Sequence, residues 1–528
     1  MPEKEGSRAG VLIYNSLLMS LAAIVMRTVG VSFSVWISNR VGAEVMGLYS
    51  LCTGVWGFAL TLATSGVNLA ATRTVAEALG VGESEGGGTA RAALRRALIY
   101  ALSFGSAAAI LLISGAKLIG TRVLCDARTV MPLRLLGISL PAISVSSALS
   151  GYFSAVRRVW KSALAQVCEQ AVKIGAVSLL LMRLLPLGAE YCCTALVLGG
   201  AISEIASCAV GYLLYRIDLA RHIGKGRSRY SGRESTRRLL ATAIPVSLSA
   251  YVRSGLTTVE HILIPAGLQK YGAARGAALA EYGMLTAMVM PVVMFPYAVI
   301  YSFTGLLIPE FTAAASLGQR RRISYISGRV WRLTMIFGIG VAGSLICFAD
   351  ELGLALYGSD EAARLIRLLG PLMPVMYLDT VTDSMLKGLG EQVYTMNVNI
   401  ADSAMSAVLV YLLLPAFGLH GYIAVLYISE IVNFALSAAR LLRVSAMRPQ
   451  ALRWIFSPVC SIIGASTVSK LLLMLLPSLP QGCPPAVALT CHMGLTAVLF
   501  LAFLCATGGV DGELAGWIKR SLKKERTE

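Results

Sequence analysis

Two arginines stand near the middle of long apolar runs, and they are the residues best placed to do chemistry. Arg27 closes the stretch Ser20-Leu21-Ala22-Ala23-Ile24-Val25-Met26-Arg27. Arg253 closes the similar stretch Ser247-Leu248-Ser249-Ala250-Tyr251-Val252-Arg253. A charge inside an apolar helix costs at least about 2.5 kcal/mol unless it faces water or a partner. A guanidinium stays charged and forms paired hydrogen bonds to phosphate oxygens. Two such groups facing one cavity would suit a phosphate or diphosphate headgroup. The simpler account pairs each with a carboxylate or with helix-end carbonyls.

The acidic residues in apolar runs are Glu169, Glu204, Glu260, Asp379, Asp383, Asp402 and Glu430. Glu169 and Lys173 are four apart, which predicts a local ion pair. Asp379, Asp383 and Lys387 follow at the same spacing and read as a self-neutralising stripe. Asn399 and Asp402, with Asn397 close by, place side-chain oxygens on one helix. That is a candidate ion site, with an interhelical hydrogen bond as the alternative. His261 and His420 read as isolated interfacial histidines. The sequence has no phosphate-binding glycine loop, no Ser-His-Asp candidate set on its loops and no H-E-x-x-H. Eleven cysteines are scattered without a C-x-x-C pair and read as small apolar filler.

The elements that position these groups follow from composition. The chain is 56% hydrophobic and only 14% charged, with a mean hydropathy of +0.70. Apolar stretches of about twenty residues recur, each long enough to cross a bilayer as a helix. Alternating ten-residue strands are absent, so an all-α polytopic membrane protein is expected rather than a barrel. The fourteen expected spans are 12–37, 45–70, 97–120, 131–154, 163–186, 194–215, 240–265, 283–308, 329–350, 366–388, 393–416, 420–441, 455–476 and 485–507. The first is too long for a signal-peptide core, so no cleaved leader is expected.

The net charge of +18 lies in the short loops and signals topology rather than nucleic-acid binding. On one side the loops and adjoining helix ends carry thirty-two basic residues, and the loops on the other side carry six. This asymmetry predicts an even number of spans with both termini in the cytoplasm. The longest basic loop, 216–239, divides the chain. The expected organisation is 1–225 as one six-helix lobe, 226–450 as a second, and 451–528 as two further helices with a tail. A six-helix repeat returns to the same side, so the lobes should be parallel repeats about an axis along the membrane normal.

Proline and glycine mark where helices bend. The eighth span contains Pro291 and Pro296, with Pro309 beyond. Each removes a backbone hydrogen bond, and the freed carbonyls must find protein or water. The second span offers Gly54, Gly57 and Ser65-Gly66. Bendable segments in both halves suit a protein that opens alternately to each side, with close packing as the alternative for the glycines.

Several motifs resemble a known family. Val41-Gly-Ala-Glu-Val-Met-Gly-Leu-Tyr49, Ser65-Gly-Val-Asn-Leu-Ala-Ala-Thr-Arg-Thr-Val-Ala-Glu77 and the Glu281–Pro296 stretch, followed by Leu307-Ile-Pro-Glu310, resemble the polysaccharide-transporter branch of the multidrug/oligosaccharidyl-lipid/polysaccharide exporter superfamily. This branch includes lipid II flippase-like proteins, and the likeness is greatest to its sporulation members. The resemblance implies two six-helix lobes in a V, as in multidrug and toxin extrusion transporters, with two extra C-terminal helices. It implies a monomeric flippase in a bacterial plasma membrane. The cargo would be a polyprenyl-diphosphate-linked sugar, expected to be a lipid II-like peptidoglycan precursor for spore cortex. Cell-envelope synthesis enzymes are the expected partners, with no nucleic acid and no organic cofactor. Cavity arginines of relatives match Arg27 and Arg253 by helix and depth. Some relatives hold a sodium ion at an Asn and an Asp four apart on the eleventh span. Here Asn399 and Asp402 are three apart, and the coupling ion is left as sodium or proton. The alternatives are a cation antiporter of the multidrug and toxin extrusion type and a membrane-embedded enzyme of envelope polysaccharide synthesis.

Overall fold

The computed structural model describes residues 3–79, 86–222, 232–447, 450–475 and 485–508. Seventeen α-helices occur among them, with no strand. In chain order they are α1 (Glu3–Thr64), α2 (Val67–Leu79), α3 (Gly86–Leu118), α4 (Val130–Ala155), α5 (Trp160–Leu184), α6 (Ala189–His222), α7 (Gly232–Tyr271), α8 (Arg275–Gly283), α9 (Met290–Val293), α10 (Tyr297–Ser316), α11 (Arg320–Cys347), α12 (Ala349–Tyr357), α13 (Asp360–Leu369), α14 (Met373–Gly388), α15 (Gln392–Ser445), α16 (Ala451–Leu475) and α17 (Pro485–Ala506).

Ten of the described segments are long and apolar enough to cross a membrane. Two of these, Ile24–Leu79 and Gln392–Ser445, run for 56 and 54 residues. Each is broken by a glycine outside helical geometry, Gly42 at φ 80° and Gly418 at φ 57°. At 1.5 Å per residue, each is long enough to cross twice. α7 is long but carries a row of serines and threonines, and α14 has only 16 residues. With these two, the helices match the fourteen expected spans. Large apolar side chains such as Leu179, Met182, Ile110 and Phe456 stay more than 60% exposed, as lipid-facing residues must.

The chain forms two compact units. One comprises Met1–Asn39, Met284–Leu409 and Ala416–Glu528, and the other Arg40–Gly283 with Val410–Pro415. This grouping by contact differs from the 1–225, 226–450 and 451–528 organisation expected from the sequence, which is a division into repeats. The second unit has an alanine-rich core. Ala70, Ala71, Ala90, Ala93, Ala97 and Ala243 pack with Leu94, Leu149, Tyr152 and Phe153. Small side chains let helix backbones approach where no water drives them together. In the first unit Ile336, Ile339, Ile462, Ala465, Phe500 and Leu504 seat α16 and α17 on α11.

Proline explains the course of the eighth span. Residues Met284–Val289 form a π-helical turn, α9 lasts one turn, and the chain restarts as a helix at Tyr297 after Pro296. Pro291 cannot donate to the carbonyl of Ala287. That oxygen instead faces the Ser34 hydroxyl at 3.4 Å. The neighbouring Met288 carbonyl accepts from the Tyr357 hydroxyl at 2.6 Å. The break is thus repaired by side chains from α1 and α12.

Candidate substrate and ion sites

Arg27 lies on α1 in the first unit, and Arg253 lies on α7 in the second. Both are exposed. Among the described residues neither guanidinium has a hydrogen-bond or ion-pair partner. The pairing with a local carboxylate or carbonyl considered from the sequence is therefore not formed with any described group. Arg27 presents its cation from an apolar helix, and Arg253 presents its own from the serine- and threonine-bearing α7.

α7 is held to the second span by a polar seam. Thr258 donates to the Gly54 carbonyl at 3.1 Å, and Thr61 donates to the Ser254 hydroxyl at 2.9 Å. Ser247 donates to the Ser65 carbonyl at 2.9 Å. The seam ends at Gly66, whose φ of 73° separates α1 from α2. Only glycine takes this conformation cheaply. A methyl there would also sit 2.6 Å from the Ala243 carbonyl oxygen. Gly66 therefore both turns the chain and admits α7. Gly54 lies inside continuous helix and packs on His261, where a Cβ would be 3.0 Å from the His261 Cβ. His261 is not isolated, since its Nδ1 lies 2.8 Å from the Tyr282 hydroxyl. Nor is His420, whose Nε2 lies 2.7 Å from Arg364.

The acidic residues of the first unit converge. Asp379 and Asp383 on α14 meet both arms of α15. Asn399 donates to Asp383 at 3.1 Å, and Lys387 lies 3.6 Å from the same oxygen. Ser437 reaches the other Asp383 oxygen at 3.5 Å. Asn433 donates to Asp379 at 3.2 Å, and Ser429 donates to Asp402 at 2.5 Å. The expected stripe is therefore half right: Lys387 serves Asp383, while Asp379 turns to Asn433. Asn399 and Asp402 belong to the same three-helix network but turn to different partners. Two buried oxygens in it, Asp379 Oδ1 and Asn433 Oδ1, lack a hydrogen-bond partner among the described residues. Such an orphan costs roughly 1–3 kcal/mol, so a proton or a bound cation would be stabilising there. Among the described residues no group of three His, Cys, Asp or Glu side chains is placed to hold a metal ion.

The network touches the broken span. Thr380 donates to the Tyr297 hydroxyl at 3.1 Å, and Tyr297 is the first residue of α10 after Pro296. Asn433, Ser429 and Tyr297 were missed in the sequence because single polar residues in apolar helices carry no spacing signal.

In the second unit Glu169 and Glu204 line a serine-rich cavity of about 340 Å³ between the second, fourth, fifth and sixth spans. In the same unit Asp218, 1% exposed, receives Lys161 at 2.6 Å, the Tyr152 hydroxyl at 2.8 Å and Arg158. On the 3–4 loop Asp126 caps a short helical turn and pairs with Arg128 and Arg275. Burial pushes the Asp126 carboxyl up, but hydrogen bonds from Arg128 and the charges of Arg128 and Arg275 outweigh it. The carboxyl is held below its ordinary range.

These features define a multi-pass helical membrane protein with broken second and eighth spans and polar groups inside its helices. Residues 12–315 match the family described as polysaccharide biosynthesis protein, and the chain belongs to that family. It is 26% identical to stage V sporulation protein B of Bacillus subtilis over 512 residues, 96% of this chain and 92% of that protein. It is 25% identical to sporulation protein YkvU of the same organism over 235 residues, 44% of this chain and 52% of that one. Among solved structures, the lipid II flippase MurJ in an inward closed conformation aligns with a TM-score of 0.67 at 12% identity, covering 93% of this chain and 99% of MurJ. An inward-facing multidrug resistance MATE family transporter of the MOP superfamily aligns at 0.64 with 15% identity, covering 81% and 99%. The likeness to these two structures is one of fold.

Proposed function

We propose that the chain is a flippase that carries a lipid-linked oligosaccharide from the inner to the outer leaflet of a bacterial plasma membrane by alternating access. The observation that carries this reading is the pair of exposed cations, Arg27 on the apolar first span and Arg253 on the serine- and threonine-bearing α7. A diphosphate would satisfy each guanidinium, while the polyprenyl tail stays in lipid. The relatives agree with it: one solved neighbour is a lipid II flippase, and a sequence relative along nearly the whole chain is a sporulation protein. We take the cargo to be a lipid II-like peptidoglycan precursor, used in spore cortex synthesis alongside envelope-synthesis enzymes. The protein acts as a monomer and a transporter rather than an enzyme. Both termini are cytoplasmic, as the basic loops require. The repeats at 1–225 and 226–450 supply the alternation, and 451–528 adds two helices.

The Asp379–Asn433 pair is the proposed coupling-ion site, taking a proton or a sodium ion, with Asp383, Asn399 and Asp402 around it. Gly66, Pro291 and Pro296 are the proposed bending points. The test is to replace Arg27 and Arg253 separately by alanine and to measure headgroup translocation in reconstituted vesicles. Loss in either supports the cavity role, and unchanged transport in both overturns it. The acidic network also favours a second reading, a cation antiporter. Competition by cationic dyes for the transport step would support that reading instead.

A further inference from the structure

We propose that Glu44, Asp126, Arg128 and Arg275 form a charged clasp that shuts the outer face of the protein and must open to release cargo outward. The inference rests on the sidedness and alternation proposed above.

The four residues come from three connections far apart in sequence. Glu44 follows the Gly42 break between the first two spans, Asp126 and Arg128 lie between the third and fourth, and Arg275 opens α8. Asp126 is the hub. Its side chain is only 5% exposed and receives Arg128 at 2.9 Å and Arg275 at 3.3 Å. Arg128 also reaches Glu44 at 2.9 Å, and Arg275 donates to the Leu124 carbonyl at 3.3 Å. Two cations meet two anions, so the cluster is neutral and needs no further counter-ion. All three loops fall on the side with few basic residues, which the charge bias places outside.

The clasp crosses the repeat boundary. Glu44, Asp126 and Arg128 belong to the first repeat, and Arg275 belongs to the second. Directly beneath it Gly47 and Gly283 bring the second span and α8 into backbone contact. A Cβ on Gly283 would overlap the Ala43 carbonyl and lie 2.8 Å from the Gly47 Cα. An outward opening between the repeats therefore has to break the Asp126–Arg275 pair and the Arg275–Leu124 hydrogen bond. Asp126 is buried, but the Arg275 side chain is 39% exposed and Glu44 43%, so solvent reaches the other partners and the contacts can be remade on each cycle. A deeply buried pair would be too costly to open.

A mere structural brace and a gate differ in one readout, which side of the membrane reaches the seam below. Ser254 lies in that seam. The experiment places Ser254→Cys in a full-length chain in which Cys125, Cys460, Cys491 and Cys505, the exposed cysteines among the described residues, are replaced by serine, as is Cys483, which lies outside the described residues. Labelling by a membrane-impermeant maleimide is timed from each side of sealed vesicles. Arg275→Ala and Asp126→Asn should each speed outer labelling by about ten-fold, while Arg275→Lys stays within about two-fold of the parent. Raising salt to about 0.5 M should speed outer labelling of the unmodified clasp, because the half-exposed Arg275 guanidinium and the Arg128–Glu44 pair are open to screening. That arm needs no clasp variant to fold. Unchanged outer labelling in both clasp variants, or in high salt, overturns the gate. A separate chain retaining Cys125 as its exposed cysteine reports sidedness alone. Labelling of Cys125 only from the cytoplasmic side overturns the proposed topology, and the gate with it. Labelling from outside with no clasp effect overturns the gate and leaves the flippase reading standing.

Discussion

Gly283→Ala and Gly57→Ala make the same chemical change in two helices and should have opposite effects. At Gly283 the added methyl meets backbone on three sides: the Ala43 carbonyl, the Gly47 nitrogen and the Gly47 Cα. None of these can rotate away as a side chain would. The two helices must part by about 1 Å, and overpacking of this kind costs about 1–3 kcal/mol. Alanine returns roughly 0.5–1 kcal/mol through its better helix propensity. The net loss is on the order of 1–2 kcal/mol, a factor of about 5–30 in the equilibrium that keeps this crossing closed. At Gly57 a methyl meets nothing within 4 Å. Only the propensity gain remains, about 0.5–1 kcal/mol of added stability. Thermal stability of the detergent-solubilised protein, read by size-exclusion, orders the three proteins. Gly57→Ala should lie at or above the parent and Gly283→Ala below it. If Gly283→Ala matches the parent, or Gly57→Ala falls as far as Gly283→Ala, the close-crossing argument is refuted.

Asp218→Ala should cost about 3–5 kcal/mol, because it leaves the 8%-exposed Lys161 side chain buried without its carboxylate; the same size-exclusion assay checks it. The Asp126 carboxyl is held low in the folded protein, so its contribution is present above the ordinary carboxylate pKa, about 3.9, and is lost as pH falls through the lowered value. The stability gap between parent and Asp126→Asn should therefore stay flat near neutral pH and close below about pH 4; a gap unchanged at pH 3 would contradict the pairing. If the proposed ion-coupled flippase reading holds, Asp379→Asn should remove the ion dependence of transport while headgroup binding persists. Retained ion dependence would exclude Asp379 as the coupling group.

The number of spans was legible because it depends on hydropathy and loop charge, both properties of the sequence alone. The breaks at Gly66 and Pro296 were legible for a related reason. Glycine and proline act on their own backbone, so no partner is needed to read them. Pairings were a different matter. An apolar helix with one aspartate does not say which neighbour its face meets, and that depends on helix rotation. Hence Asp379 was assigned to a stripe with Lys387, whereas it turns to Asn433. Arg128 counted only as one of six basic residues on its side, and its meeting with Glu44 and Asp126 came from packing. His261 read as interfacial because Tyr282, twenty-one residues on, gives no local cue.

The course of the chain between its two compact units gives these irregularities a common meaning. The chain passes from one unit to the other at 39/40, 283/284, 409/410 and 415/416. Gly42, at φ 80°, lies beside the first passage. The π-helical turn Met284–Val289 begins at the second. Pro415 and Gly418, at φ 57°, lie at the last. A regular α-helix resists bending because every turn is hydrogen-bonded, whereas these places already depart from regular geometry, and at the π turn two carbonyls are met by side chains. Ser34 and Tyr357, which face the carbonyls of Ala287 and Met288, lie in the same unit as the π turn. A change of torsion at the turn would exchange a side-chain contact rather than strip a backbone group bare. Helices that must change shape in lipid need such standby donors, since no water is present to replace a broken bond. Ser34→Ala and Tyr357→Phe therefore make a sharp pair. Each removes one standby hydroxyl and leaves the helix composition intact. On the proposed flippase reading, transport should slow in both, with headgroup affinity unchanged. Equal slowing by Thr312→Val, whose hydroxyl bonds the Gly388 carbonyl away from the turn, would show that the turn has no special part in the motion.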